Sequence, residues 1–258
     1  MADVLLSFDG HVATVTLRNE GRYNAMSMAM WQQLGATLAE LNANTDVRAV
    51  VLRGDGDKAF VSGADISEFG EKRNDPASVA AYDTAVATAQ AALANLRCPV
   101  IAAISGICYG GGLGLVLACD LRYASATAKF RMPAARLGLG YAYGGIQRMA
   151  AVIGVARASE LFFTAHVYTA DDALRIGLVG AVPDDVFAFA AETAAGIASN
   201  APLTIRAAKQ AFNALLAGGQ PDDVAAVDLA VKACFKSEDY AEGRAAFAEK
   251  RTPLFKGR

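Results

Sequence analysis

Two stretches of small residues, Ser62-Gly63-Ala64-Asp65 and Gly110-Gly111-Gly112, are where the backbone of this chain could do chemistry. Each follows a short apolar run that reads as a buried strand, and the second leads into an apolar segment that reads as a helix through Ala118. Glycine lets a ligand approach the main chain closely. A helix N-terminus adds unpaired N–H groups and a partial positive charge. Together these suit an anionic oxygen, either a phosphate or an oxyanion formed during a reaction. The competing reading is a tight helix–sheet contact that needs small residues. Parallel strands in one sheet would bring both turns to the same edge. Two N–H groups converging there make an oxyanion hole, in which each donor is worth roughly 3–4 kcal/mol. A phosphate cradle fits less well, because neither G-x-x-x-x-G-K-[ST] nor G-x-G-x-x-G spacing is present.

Few other side chains compete for a chemical role. Asp65 lies beside the first turn, but aspartate commonly bonds nearby backbone N–H groups and shapes such turns. Asp120 follows the buried helix and reads as structural. His11 and His166 are the only histidines and read as surface residues, so no histidine metal site is expected. The four cysteines, Cys98, Cys108, Cys119 and Cys234, form no C-x-x-C pair, and three sit in apolar runs. They point to a reduced, intracellular, cytoplasmic protein without a structural metal.

The elements that must position the two turns follow from patterning. Alternating runs at 3–8 and 11–18 flank Asp9-Gly10, a hairpin signal. Ser27 is placed to cap a helix whose apolar face carries Met30, Trp31, Leu34, Leu38 and Leu41. Residues 47–53 read as a buried strand ending in a Gly-Asp turn. A short strand leads into Ser62, residues 67–76 form a polar loop lining part of a pocket, and an alanine-rich helix covers 77–96 before Pro99. Strands follow at 101–104, 119–123 and 129–132. Beyond 144 the pattern is helical apart from a strand at 178–182. Strands alternating with helices imply βαβ units and an α/β fold. The charge-poor helical tail, broken at Pro202, Gly218-Gly219-Gln220-Pro221 and Pro253, is apolar enough to pack on the core or on another subunit.

With 258 residues, 54% of them hydrophobic, the chain can bury a large core. A net charge of −2 gives no electrostatic footprint for nucleic acid. No apolar run is long enough to span a bilayer, so no membrane role is expected, and the first residues lack the regions of a signal peptide.

Several ordered stretches together resemble the crotonase, or enoyl-CoA hydratase/isomerase, superfamily. They are Asn19-Glu20-Gly21-Arg22-Tyr23-Asn24-Ala25, Ala59-Phe60-Val61-Ser62-Gly63-Ala64-Asp65-Ile66-Ser67-Glu68-Phe69, the segment 101–120, Gly144-Gly145-Ile146-Gln147-Arg148, Ala173-Leu174-Arg175-Ile176-Gly177-Leu178-Val179, and Phe247-Ala248-Glu249-Lys250-Arg251. The resemblance implies a ββα spiral core, here residues 1–195, and a C-terminal helical region, 196–258, that serves trimerisation and the CoA site. It implies an acyl-CoA thioester as substrate, coenzyme A being part of that substrate with no permanently bound cofactor, and a homotrimer or dimer of trimers. By motif, Ala64 and Gly111 would supply the oxyanion-hole N–H groups that stabilise a thioester enolate. Arg22, Ala25, Ser62, Asp65 and Ile66 would line the CoA path. Phe255 and Lys256 resemble a C-terminal aromatic–basic pair often contributed by a neighbouring subunit, though Phe255 reads equally as an anchor for the tail.

One departure matters. Family hydratases use two glutamates for general acid–base work. The first position is here Gly114, and the second, after a proline, is Ala134 in the acyl pocket. Neither can move a proton. Tyrosines remain: Tyr109, Tyr141 and Tyr143. The segment Leu137-Gly138-Leu139-Gly140-Tyr141 resembles the Leu-Gly-x-x-Tyr of a branch that decarboxylates methylmalonyl-CoA-type thioesters. A tyrosine hydroxyl can hold a carboxylate or donate a proton, and it can equally be a pocket wall. The resemblance therefore leaves three outcomes: a hydratase-family lyase of altered chemistry, a decarboxylase using Tyr141, or a catalytically silent acyl-CoA-binding protein.

Overall fold

The computed structural model describes residues 2–65, 68 and 75–258. The chain opens with a hairpin, β1 (Ala2–Asp9) and β2 (Val12–Asn19), paired antiparallel with Asp9 opposite Val12. Gly10 takes φ +54° in the turn, a conformation glycine adopts at low cost. Ser27 caps α1 (Met28–Ala43) by accepting from the Met30 N–H at 3.2 Å. Met30, Trp31, Leu34, Leu38 and Leu41 are all buried, at the spacing of one helix face. Each large apolar side chain so buried is worth about 1.5–3 kcal/mol.

Next come β3 (Ala49–Gly54), β4 (Ala59–Val61) and α2 (Pro76–Ala94), the last capped by the Asp75 carboxylate. Then follow β5 (Val100–Ile104), β6 (Ile107–Tyr109), α3 (Gly111–Ala118), β7 (Leu121–Ala124) and β8 (Lys129–Arg131). One sheet has the order β1-β2-β3-β5-β7, parallel beyond the opening hairpin. A second contains β4-β6-β8-β9, where β9 (Tyr168–Thr169) pairs antiparallel with β8. The helices of the second half are α4 (Tyr143–Thr164), α5 (Ala170–Arg175), α6 (Val186–Ala198), α7 (Pro202–Leu216), α8 (Pro221–Phe235) and α9 (Glu238–Glu249). This is the expected α/β architecture with a helical C-terminal region. Among the described residues no helix is long and apolar enough to cross a membrane.

Three local expectations need correction. The strand at 101–104 stops before Ser105-Gly106 as expected, but the chain does not then pass straight into the glycine turn: Gly106 (φ +63°) leads it out of the first sheet into a further strand, β6, of the second. A Cβ at Gly106 would overlap the Lys58 carbonyl, so this close crossing admits glycine alone. Residues 178–182 are not a strand but make a single bridge, Ala181 to Tyr123. β9, two residues long, was too short to show any period.

The main core lies between the first sheet, α1, α2, α3 and the second sheet. The other face of the first sheet is covered by α6, through Val186, Ala190 and Ala194 on Ala49, Val51, Ile101 and Ala103. The expected change of region at 195–196 falls within α6.

Candidate active site

The two small-residue turns leave neighbouring strands. β4 and β6 are adjacent and parallel, with Val61 opposite Cys108, so Ser62–Asp65 and Gly110–Gly112 emerge from the same sheet edge. A Cβ built on Gly110 would lie 4.0 Å from the Gly63 Cα, and one on Gly63 would lie 3.8 Å from the Tyr109 carbonyl oxygen.

The first turn is fixed by the loop after β2. Met26 bridges Ala64, its N–H donating to the Gly63 carbonyl at 2.8 Å while the Asp65 N–H donates to the Met26 carbonyl at 3.0 Å. The Ala64 N–H belongs to the same planar trans peptide as the Gly63 carbonyl, so the two point in opposite directions. The Ala64 N–H therefore points away from Met26, toward the side where β6 and Gly110 lie. Gly110, with φ +51°, is the N-cap of α3, so Gly111 carries one of the helix's unpaired first-turn N–H groups. Neither the Ala64 nor the Gly111 N–H has an acceptor among the described residues. Two such donors at one edge can hold an oxygen anion. The small residues also serve packing: a Cβ at Gly112 would come within 2.6 Å of the Val61 carbonyl, and one at Gly111 within 3.1 Å of Trp31 Cζ2.

The loop residues Arg22, Ala25 and Ser62 come together beside Ala64. The Ser62 N–H donates to the Tyr23 carbonyl, and its hydroxyl donates to the Arg22 carbonyl. Tyr23 and Asn24 adopt left-handed backbone, with the Asn24 carboxamide donating to Asp55 and Ala59 carbonyls. The buried Asp65 carboxylate accepts from Arg22 Nη1 at 2.8 Å and Asn19 Nδ2 at 3.4 Å. This clamps the loop onto the turn, in line with a shaping role. Ile66 and most of the pocket loop at 67–76 lie outside the described residues. Asp120 accepts from the Val100 N–H and from Lys209 Nζ, each at 2.7 Å, and so ties α7 to the sheet.

Ala134 is buried at the start of a 3-10 turn (Ala134–Arg136), and the adjoining Pro133 Cδ would lie 3.7 Å from a Cβ on Gly110. Gly114 sits in the first turn of α3, where a Cβ would meet Gln90 Nε2 and lie 3.4 Å from the Tyr141 hydroxyl. Tyr141 packs edge-on to Phe162 at 5.5 Å. Burial pushes its phenol up to about 12. Tyr143 is exposed, and Tyr109 ends β6. Gln90 lies in an alanine-rich helical run that carries no motif, and only packing places it here.

Phe255 and Lys256 are not brought to these turns within the chain. They lie across the first sheet, on its α6 side, lining a cavity of about 680 Å³ with His11, Arg48, Arg53 and Phe187. The Phe255 carbonyl accepts from Arg48 Nη2, and the Lys256 N–H donates to Asp239.

Comparison with known proteins gives the family. Residues 7–258 match the family model for enoyl-CoA hydratase/isomerase. The chain is 36% identical over 251 residues to the short-chain-enoyl-CoA hydratase of Clostridium acetobutylicum, covering 96% of this chain and 95% of that one. The crystal structure of an enoyl-CoA hydratase from Bacillus anthracis superposes with a TM-score of 0.93 at 34% identity, covering 99% of both chains. An enoyl-CoA hydratase/carnithine racemase structure from Magnetospirillum magneticum gives 0.91 at 36% identity, covering 100% of this chain and 97% of that one. The chain belongs to the enoyl-CoA hydratase/isomerase family.

Proposed function

We propose that this family member is a lyase acting on an acyl-CoA thioester, whose carbonyl oxygen is polarised by the Ala64 and Gly111 N–H groups so that an enolate can form. The observation that carries this reading is the emergence of both turns from one edge of the β4–β6 pair, with neither N–H engaged by a described residue. Arg22, Ala25, Ser62, Asp65 and Ile66 line the CoA path, and Phe255 with Lys256 serves the site of a neighbouring subunit. Coenzyme A enters as part of the substrate. The protein is a cytoplasmic homotrimer or dimer of trimers, with the spiral core at 1–195 and the oligomerising region at 196–258.

Glycine at 114 and alanine at 134 leave no carboxylate at the positions where family hydratases place them, so hydration of crotonyl-CoA is weak or absent. Ready hydration by pure protein contradicts this. The position of the Tyr141 hydroxyl beside Gly114 favours a second reading, decarboxylation of a malonyl-type thioester. There the bond from the α-carbon to the carboxylate breaks and CO₂ leaves. The electron pair moves onto the thioester oxygen as an enolate, and a proton from solvent or Tyr141 then reaches the α-carbon. Mass spectrometry of CoA products from a panel of malonyl-type esters tests it. CO₂ loss that falls in Tyr141→Phe supports this reading; no loss across the panel overturns it. Binding of CoA esters without turnover of any would identify a silent acyl-CoA-binding member.

A further inference from the structure

Two glycines make room for one pair of side chains. A Cβ at Gly114 would collide with Gln90 Nε2 and stand 3.4 Å from the Tyr141 hydroxyl. A Cβ at Gly145 would overlap the Tyr141 ring at Cε1. Gln90 belongs to α2, Tyr141 precedes α4 and Gly114 lies in α3. Three elements therefore converge so that a carboxamide takes the space a Cβ at 114 would need, with a phenol hydroxyl at contact distance from it. Both residues are partly exposed.

We propose that Gln90 and Tyr141 form a two-residue donor site for a carboxylate carried on the acyl group, so that the site prefers thioesters bearing a second carboxylate over neutral ones. This rests on the acyl-CoA reading above. The carboxamide offers two N–H donors and the phenol one O–H. With its pKa pushed up to about 12, the phenol keeps its proton at neutral pH and remains a donor. Glycine at 114 and alanine at 134 also remove the carboxylates that would repel an incoming one. Hydrogen bonds to a charged group are stronger than those to a neutral one. A plain acyl chain would instead leave both polar groups against methylenes, a costly arrangement.

The test is a displacement titration of the full-length protein with malonyl-CoA and acetyl-CoA, each thioester checked by mass spectrometry after the run. Wild type should bind malonyl-CoA at least about tenfold more tightly, the scale of one hydrogen bond to a charged group. That ratio should fall toward one in Gln90→Met and in Tyr141→Phe. Gln90→Glu, close in size but anionic, should reverse it. Equal affinities in wild type, or a ratio unchanged in the correctly folded variants, overturn the proposal. Binding of neither thioester would instead remove the acyl-CoA reading on which it rests.

Discussion

At Tyr141 a phenol held at about 12 is neutral throughout the physiological range. Any rate that depends on it should show no tyrosine titration between about pH 6 and 9. A pH–rate profile with a step in that window that vanishes in Tyr141→Phe would contradict the account. At Gly112, by contrast, the demand is steric. Its Cβ would stand 2.6 Å from the Val61 carbonyl and 2.7 Å from the Val61 Cβ, so Gly112→Ala should destabilise the fold by about 1–3 kcal/mol in urea unfolding. Gly140→Ala, with nothing within 4 Å, is the matched control and should change stability little. Equal effects at the two positions would count against the packing argument. The sequence made Gly111, Ala64 and Tyr141 visible because each lies in a dense local motif. Gln90 had no such signal, since its place opposite Gly114 arises only when α2, α3 and the segment before α4 pack together.

Elements whose signals are local were legible: the Asp9-Gly10 hairpin, the Ser27 cap and the apolar face of α1 carry their own turn, cap or period. Pairing was not. Nothing in the run from Val100 to Gly110 says that the chain changes sheets at Gly106, because an apolar strand reads alike in either sheet. The attachment of α7 to the sheet was equally hidden, because long-range contacts leave no local signal in the sequence. Lys209 is buried, with Nζ 2.7 Å from Asp120 and 2.9 Å from the Cys98 carbonyl. Lys209→Ala would leave Asp120 and that carbonyl without this cation. The expected cost is about 2–3 kcal/mol, read by chemical denaturation. A cost below about 0.5 kcal/mol, the scale of an exposed pair, would show that α7 is held by other contacts.

For the molecule as a whole, α8 buries no residue, and Phe212, Leu215, Leu229, Phe235 and Phe247 are exposed. Exposed apolar surface of this kind is what the proposed assembly would cover. Sedimentation should find a trimer or hexamer, and Phe212→Glu with Leu215→Glu should dissociate it; a monomeric wild type would contradict the assembly. Stability should also fall in alkali. Burial raises Cys98 from 9.0 to about 11 and Cys119 from 9.0 to about 12, and raises Tyr141 from 10.0 to about 12. Below pH 9 these groups are protonated in both states and their contribution is fully present. As pH rises from about 9 toward 12 the unfolded chain loses these protons first, so it binds fewer than the native state and stability declines. Melting temperatures that stay flat across that range would contradict the burial assigned to them.

The most direct measurement is a crystal structure of the protein with acetyl-CoA bound. The thioester oxygen should lie within about 3 Å of both the Ala64 and Gly111 nitrogens, with Gln90 and Tyr141 at the acyl end. A thioester oxygen that meets neither amide, or an acyl group seated away from the β4–β6 edge, would contradict this.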